Sequence, residues 1–179
     1  MIYLVLADGF EEIEALTPVD ILRRGGAEVL MASLDGSESV TGSHGITVKA
    51  DISAYDIGED MTMLIFPGGM PGSDNIDHAE ITDKLLKTAE KCGAHIAAIC
   101  AAPKIIGNRG LLRGKRAVCY PGFEEYLKER TECSERVVTD GKITTAIGMG
   151  AALEFAHELL KIAKDSATAD HVVASVYPK

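Results

Sequence analysis

The chain has 179 residues, of which 46% are hydrophobic and 25% are charged, as expected for one globular domain with a sizeable core. Its formal net charge of −9 argues against nucleic acids and anionic membranes as partners, because polyanions are held by clustered Lys and Arg. The apolar runs are too short to cross a bilayer, and the N-terminal run lacks the basic flank of a signal peptide. We therefore expect a single cytoplasmic domain over residues 1–179 with no membrane segment.

Short apolar runs alternate with amphipathic segments along the chain. The runs that predict strands are 2–7, 27–33, 62–69, 94–99 and 115–120. The segments that predict helices are 13–26, 81–93, a short stretch after Cys100, a stretch near 123–129, and 151–164. Two hairpins are predicted, one through 42–50 and one over 136–147 that turns at Asp140 and Gly141. In the first helix, the expected apolar side consists of Ile13, Leu16, Ile21 and Leu22.

This alternation predicts an α/β fold. Strands that are nearly all apolar are buried on both faces, so we expect a mostly parallel sheet covered by helices on both sides. In such sheets the ligand crevice lies beyond the C-terminal ends of the strands. Three segments that follow predicted strands are therefore candidates for a functional site: 7–14, 67–75 and 99–103.

The third of these segments places a cysteine directly after a strand. A residue in the tight turn between a strand and a helix needs small neighbours two positions away, and Ala98 and Ala102 flank Cys100 in this way. Pro103 suits the first turn of the following helix. Unpaired N–H groups and the helix dipole would favour the thiolate, so the pattern predicts a nucleophile elbow in which the pKa of Cys100 is lowered. The alternative is a buried cysteine in an alanine-rich turn.

The other three cysteines have no spacing typical of a metal site. Cys92, Cys119 and Cys133 form no C-x-x-C motif, and no pair of histidines lies at zinc-finger distances. We expect no metal and interpret these residues as small apolar side chains.

The second candidate segment is rich in glycine. Gly68 and Gly69 let backbone amides approach a ligand closely, and an amide from this loop together with that of Ala101 would form an oxyanion hole. The alternative is a turn that needs glycine only for its local geometry. No G-K-[ST] follows, so the loop is not a P-loop.

The first candidate segment supplies acidic residues. Glu11 and Glu12 are interpreted as a solvated first turn of the helix, where negative charge is favoured. Glu14 lies between two apolar residues near the expected crevice. Burial and a neighbouring thiolate would raise the pKa of its carboxyl, which could then donate a hydrogen bond to sulfur or exchange a proton with substrate.

Together, the motifs LADGFEEIEALTPVDILRRGG, FPGGMPG, AAICAAP and TAIGMGAALEFA resemble the ThiJ/PfpI superfamily, also called the DJ-1 family. The resemblance implies a flavodoxin-like three-layer α/β/α sandwich, usually a homodimer, with an easily oxidised elbow cysteine beside a protonated glutamate. On this chain these two residues are Cys100 and Glu14, and the oxyanion amides are those of Gly69 and Ala101. The helix with Pro18 and Asp20 is similar to one at the dimer interface of relatives.

The chain departs from the family pattern at two positions. The protease-like branch has His directly after the cysteine, where this chain has Ala101, and many relatives have a loop His where this chain has Tyr120. A phenol is a poor base at pH 7, so proton transfer is assigned to Glu14 or to Cys100 itself. His44, in the turn GSHG, is either a turn residue or one that a partner subunit carries toward the site.

Three functions fit these residues. The first is the cofactor-free glyoxalase activity attributed to the family, with a related deglycase activity, in which Cys100 attacks a small 2-oxoaldehyde such as methylglyoxal. The second is a redox sensor or peroxide-responsive chaperone oxidised at Cys100, with Cys119 either a strand-end residue or a thiol that resolves the sulfenic acid. The third and weakest is an amidase or protease-like hydrolase.

Overall fold

The computed structural model describes residues 1–176, which form nine strands and six α-helices. The strands are β1 (Ile2–Leu6), β2 (Val29–Ser33), β3 (Ser39–Thr41), β4 (Thr47–Lys49), β5 (Ile52–Ser53), β6 (Met63–Phe66), β7 (His95–Ile99), β8 (Val137–Asp140) and β9 (Ile143–Ala146). The α-helices are α1 (Glu12–Arg24), α2 (Gly72–His78), α3 (Glu80–Cys92), α4 (Pro103–Gly107), α5 (Ala152–Ala163) and α6 (Ser166–Val176). No helix within this part of the chain is long and apolar enough to cross a membrane.

A seven-stranded sheet forms the centre of the molecule, in the order β5-β2-β1-β6-β7-β9-β8. All neighbouring strands in it are parallel except β8, which pairs antiparallel with β9. Strands β3 and β4 form a separate antiparallel hairpin, as predicted for this segment. The four adjacent strands β1, β6, β7 and β9 therefore bring their C-terminal ends to one edge of the sheet.

Both faces of the sheet are covered, which explains why its central strands β1 and β6 are apolar at every position. In β1, Ile2, Leu4 and Leu6 belong to one hydrophobic cluster, whereas Tyr3 and Val5 belong to another. The first cluster includes the buried side chains of α1, α5 and α6, and the second includes those of α2, α3 and α4. The predicted α/β/α sandwich with a mostly parallel sheet is confirmed.

In helix α1, one residue of the predicted apolar side is not buried. Ile21 and Leu22 are buried, but Ile13 is 48% exposed, so its assignment to a buried apolar face is wrong. Helix α1 packs closely on α5, where a side chain at Gly25 would collide with Leu160. This packing fixes the rotation of α1 and leaves Ile13 facing outward.

The predicted strand at 115–120 is also wrong. This segment is irregular apart from one isolated bridge between Arg116 and Thr131. The backbone amide of Val118 donates to the Thr145 hydroxyl of β9 at 2.9 Å instead of to a strand backbone. Cys119 therefore does not end a strand, although it is buried.

Three elements were not predicted: β5, α2 and α6. Strand β5 has only two residues, and α2 begins within the glycine- and proline-rich loop after β6. Helix α6 is built from small residues that give a weak apolar periodicity.

Candidate active site

The candidate residues meet at the edge where adjacent parallel strands end. Cys100 follows β7, Glu14 lies in the first turn of α1 after β1, Gly68 follows β6, and Gly148 follows β9. A side chain added at Gly68 would lie 2.5 Å from the Glu14 carboxyl and 2.9 Å from the Cys100 Cβ. The absence of a side chain at Gly68 is therefore what allows the acid and the thiol to approach each other.

Cys100 has an unusual backbone conformation for a residue with a side chain. Its φ is 65°, in the left-handed region that costs a residue other than glycine about 1 to 3 kcal/mol. Two hydrogen bonds hold it there: its amide donates to the Ala146 carbonyl, and its carbonyl accepts from the Tyr120 amide, both at 2.9 Å. Ala98 and Ala102, the small neighbours, are fully buried. The surrounding backbone thus fixes the direction of the thiol.

Glu14 is a buried carboxyl that contacts the thiol. Only 1% of the residue is exposed, and one carboxyl oxygen accepts the Gly68 amide at 3.0 Å. Burial raises its pKa to about 7, against the lowering effects of hydrogen bonds from Cys100 and from the backbone amides of Gly68 and Met149. A group with this pKa can both give and accept a proton near neutral pH.

The pKa of Cys100 does not behave as predicted from the helix dipole. Burial raises it, and the nearby Glu14 carboxylate raises it further, while the Ala101 amide has the opposite, smaller effect. Helix α4 has only five residues and begins three positions after the cysteine, so its dipole is weak. The prediction that the pKa of the Cys100 thiol is lowered is therefore wrong. Protonation of Glu14 removes the repelling charge, so the thiolate is favoured when Glu14 holds the proton.

The predicted oxyanion amides are not equivalent. The Gly68 amide is occupied by Glu14. Among residues 1–176, the amides of Gly69 and Ala101 donate to no backbone carbonyl, and that of Ala101 points toward the sulfur. The φ of Gly69 is 90°, and a side chain there would collide with the backbone of Phe10 and Glu11. Glycine is therefore required at this point of the loop.

Tyr120 stands beside the thiol on the open side of the site. The residue is 48% exposed, and its ring lies 3.1 Å from where a side chain at Gly148 would begin. That same position is 3.8 Å from the sulfur of Cys100. Gly148 therefore lies beside both the phenol ring and the thiol, at a position where a side chain would crowd the ring. Gly148 and Met149 belong to the motif TAIGMGAALEFA, but no role at the site was predicted for them.

Glu11 and Glu12 are not the solvated first turn that the sequence suggested. They are 8% and 5% exposed, and Glu12 accepts hydrogen bonds from the backbone amide and the Nδ1 atom of His44, both at 2.8 Å. Despite the opposing effect of burial, these bonds lower the pKa of Glu12 to about 2. His44 is thereby held by its own chain, in the turn between β3 and β4. The three side chains bring possible metal-ligand atoms within 4.8 Å of one another.

Two other residues with reactive side chains lie apart from this arrangement. His95 is 8% exposed and its Nε2 is 2.8 Å from the Thr144 hydroxyl, so it is a core histidine with a hydrogen-bond partner. Cys119 lines a cavity together with Cys133, and Cys100 is not among the residues that line it. Whether Cys119 can resolve an oxidised Cys100 stays a prediction.

Comparison with known proteins places these residues in a wider group. The model of the DJ-1/PfpI family matches residues 1–162, which include every residue described around Cys100. Protein DJ-1 homolog B of Arabidopsis thaliana is 40% identical over 159 residues, and the match covers 87% of this chain but only 36% of that longer protein. A Pyrococcus abyssi protein named as a deglycase is 30% identical over 169 residues, or 91% of this chain and 99% of that one. The structure of oxidized Toxoplasma gondii DJ-1 is similar with a TM-score of 0.91 at 36% identity, covering 98% of this chain and 96% of that chain.

Proposed function

Because the chain belongs to the DJ-1/PfpI family, we propose that it is a cofactor-free enzyme of the glyoxalase or deglycase type that acts on small 2-oxoaldehydes such as methylglyoxal. The observation that carries this proposal is the contact between a buried carboxyl and a thiol fixed at a strained turn, with the Glu14 pKa at about 7. The similar P. abyssi protein named as a deglycase supports the same class of activity.

The proposed reaction begins with attack of the Cys100 sulfur on the aldehyde carbon. The thiol proton passes to Glu14, and the amides of Gly69 and Ala101 stabilise the negative oxygen of the resulting adduct. Return of the proton to this oxygen gives a hemithioacetal and leaves Glu14 as a carboxylate.

The second half of the reaction needs that carboxylate. Glu14 removes the proton from the former aldehyde carbon and delivers it to the adjacent carbon, while the hydroxyl proton moves to the neighbouring carbonyl oxygen. Together these two transfers convert the hemithioacetal into a thioester of lactate. Water then cleaves the thioester, releasing lactate and restoring the thiol of Cys100. The overall change adds one water to methylglyoxal and requires no redox partner.

Conversion of methylglyoxal to lactate by the purified, reduced protein, without glutathione, tests this proposal. We expect turnover that Cys100→Ser abolishes. Cys92→Ser is the matched control, because the Cys92 sulfur bonds the Glu59 carbonyl at 3.1 Å outside the site, and it should retain full activity. Absence of turnover from protein whose Cys100 can still be alkylated would refute the enzyme proposal.

A redox-sensing role is the second candidate. Cys100 is partly exposed, and the similar T. gondii protein was solved in a form described as oxidized. If sensing is the function, two equivalents of peroxide should add two oxygens to Cys100 before any other cysteine reacts, in protein that has no turnover. A homodimer and a cytoplasmic location stay predictions of the family resemblance and of the sequence.

A further inference from the structure

Two thiols share a cavity that the proposed reaction does not use. The cavity has a volume of about 160 Å³, and its lining includes Cys119, Cys133 and Arg130. Cys119 is 6% exposed, and Cys133 is partly exposed. The Cys133 thiol is therefore accessible to small solutes, whereas the Cys119 thiol is buried.

The backbone of residue 117 holds the Cys133 thiol close to the segment that carries Cys119. The Ala117 carbonyl accepts a hydrogen bond from the Cys133 sulfur at 3.6 Å and another from the Arg130 guanidinium at 2.8 Å. Ala117 precedes Cys119 by two residues, so the bond fixes the Cys133 sulfur beside the segment that carries Cys119. Cys119 and Cys133 are 14 positions apart and lie on either side of the one-turn helix Glu124–Tyr126.

The backbone around Cys133 is compatible with small movements. Residues 127–136 contain no helix or strand, and the segment is attached to its neighbour by a few hydrogen bonds, such as Thr131 N–H to the Lys115 carbonyl at 2.8 Å. Burial raises the pKa of Cys119 to about 11, with Glu124 raising and Arg130 lowering it, so this thiol is protonated at neutral pH. Cys133 is accordingly the first of the two to meet an oxidant.

We propose that Cys119 and Cys133 form a reversible intramolecular disulfide when the protein meets a hydroperoxide. The Cys133 sulfur attacks one peroxide oxygen, the O–O bond breaks, and the thiol proton goes to the departing oxygen, which gives a sulfenic acid and water or an alcohol. The Cys119 sulfur then displaces the hydroxyl group, which leaves as water with the Cys119 proton. Two thiols are oxidised by two electrons, and one peroxide is reduced.

Peptide mapping of the peroxide-treated Cys92→Ser/Cys100→Ser variant tests the proposal, because Cys119 and Cys133 are then the only cysteines. The protein is treated with one equivalent of hydrogen peroxide, blocked with N-ethylmaleimide, and digested without reduction. Trypsin cuts after Lys128 and Arg130, so only a disulfide joins peptides 117–128 and 131–136. We expect these peptides linked, a mass lower by about 2 Da, and full return of both thiols with dithiothreitol.

The matched control is Cys100→Ser/Cys133→Ser, which also keeps two thiols, Cys92 and Cys119, but leaves only one of them in the cavity. No linked peptides are expected from it. Wild-type protein is mapped in the same way. If a variant fails to fold, the wild-type map decides whether Cys119 and Cys133 are linked. The proposal is overturned if both thiols are alkylated after peroxide, if each is oxidised separately to sulfinic acid, or if Cys119 is found joined to Cys100. Because no step involves turnover, the result is independent of the proposed glyoxalase activity.

Discussion

Replacing Glu14 with Gln should lower the pKa of the Cys100 thiol. Gln keeps the size of the side chain and an oxygen for the Gly68 amide, which lies 3.0 Å from the carboxyl, but it carries no charge. Two unit charges about 4 Å apart at an effective dielectric constant of about 20 interact by about 4 kcal/mol, which corresponds to about 3 pKa units. Burial of the thiol also raises its pKa and persists in the variant, so we expect a fall of roughly 2 to 3 units and not a return to the value in water.

The rate of Cys100 alkylation by iodoacetamide, followed by mass spectrometry between about pH 6 and 10, measures this shift because only the thiolate reacts. Glu28→Gln makes the same chemical change at an exposed residue before β2, at the opposite edge of the sheet, and should leave the profile unchanged. If the profile of Glu14→Gln coincides with that of wild type, or moves to higher pH, the charge of Glu14 does not control the thiol and the reasoning fails.

Three further outcomes follow from the packing and the buried charges. Phe155 is fully buried between α5 and the sheet, so Phe155→Ala should lower the free energy of unfolding in urea by about 3 to 5 kcal/mol; a loss below 1 kcal/mol would contradict this packing. Gly69 and Gly45 have φ values of 90° and 79°, but only at Gly69 does a side chain collide with backbone. Gly45→Ala should therefore cost about 1 to 2 kcal/mol in the same assay, whereas Gly69→Ala should cost more and also abolish turnover. Burial lowers the pKa of His95 from 6.5 to about 4, so the unfolded chain binds a proton that the folded chain does not as the pH falls below 6.5. The wild-type protein should therefore lose stability between pH 7 and pH 5, and His95→Gln should reduce this loss by about 2 kcal/mol. If the loss is the same in the variant, His95 is not buried in its neutral form.

The central sheet could be predicted because its strands are buried on both faces. Continuous apolar runs such as 2–7 and 94–99 have this property, and each contains an observed strand, Ile2–Leu6 and His95–Ile99. A strand was also predicted at 115–120, but the Thr145 hydroxyl accepts a hydrogen bond from the Val118 amide, and no pattern within this run reveals such a partner from β9. Exposure of Ile13 likewise depends on how α1 packs on α5, which local periodicity does not specify.

The sequence predicted that the candidate residues lie together and that burial raises the pKa of Glu14, but it did not predict the raised pKa of Cys100 or the burial of Glu12. The order of strands and turns was enough to place Cys100, Glu14 and the glycine loop at one edge of the sheet. Whether a carboxyl near that edge is solvated depends on long-range contacts. The turn that carries His44 folds over Glu12 and buries it, and these two residues are 32 positions apart. The same dependence on burial explains why the pKa of the thiol was predicted in the wrong direction.

The most direct test of the proposed mechanism is methylglyoxal turnover by Glu14→Gln, measured beside wild type in protein whose Cys100 is shown to be reduced and open to alkylation. In our account Glu14 moves the proton between the two substrate carbons, so the variant should lose turnover by at least about a hundredfold while its thiol still reacts with iodoacetamide. Turnover at the wild-type rate in this variant would remove Glu14 from the reaction and contradict the account.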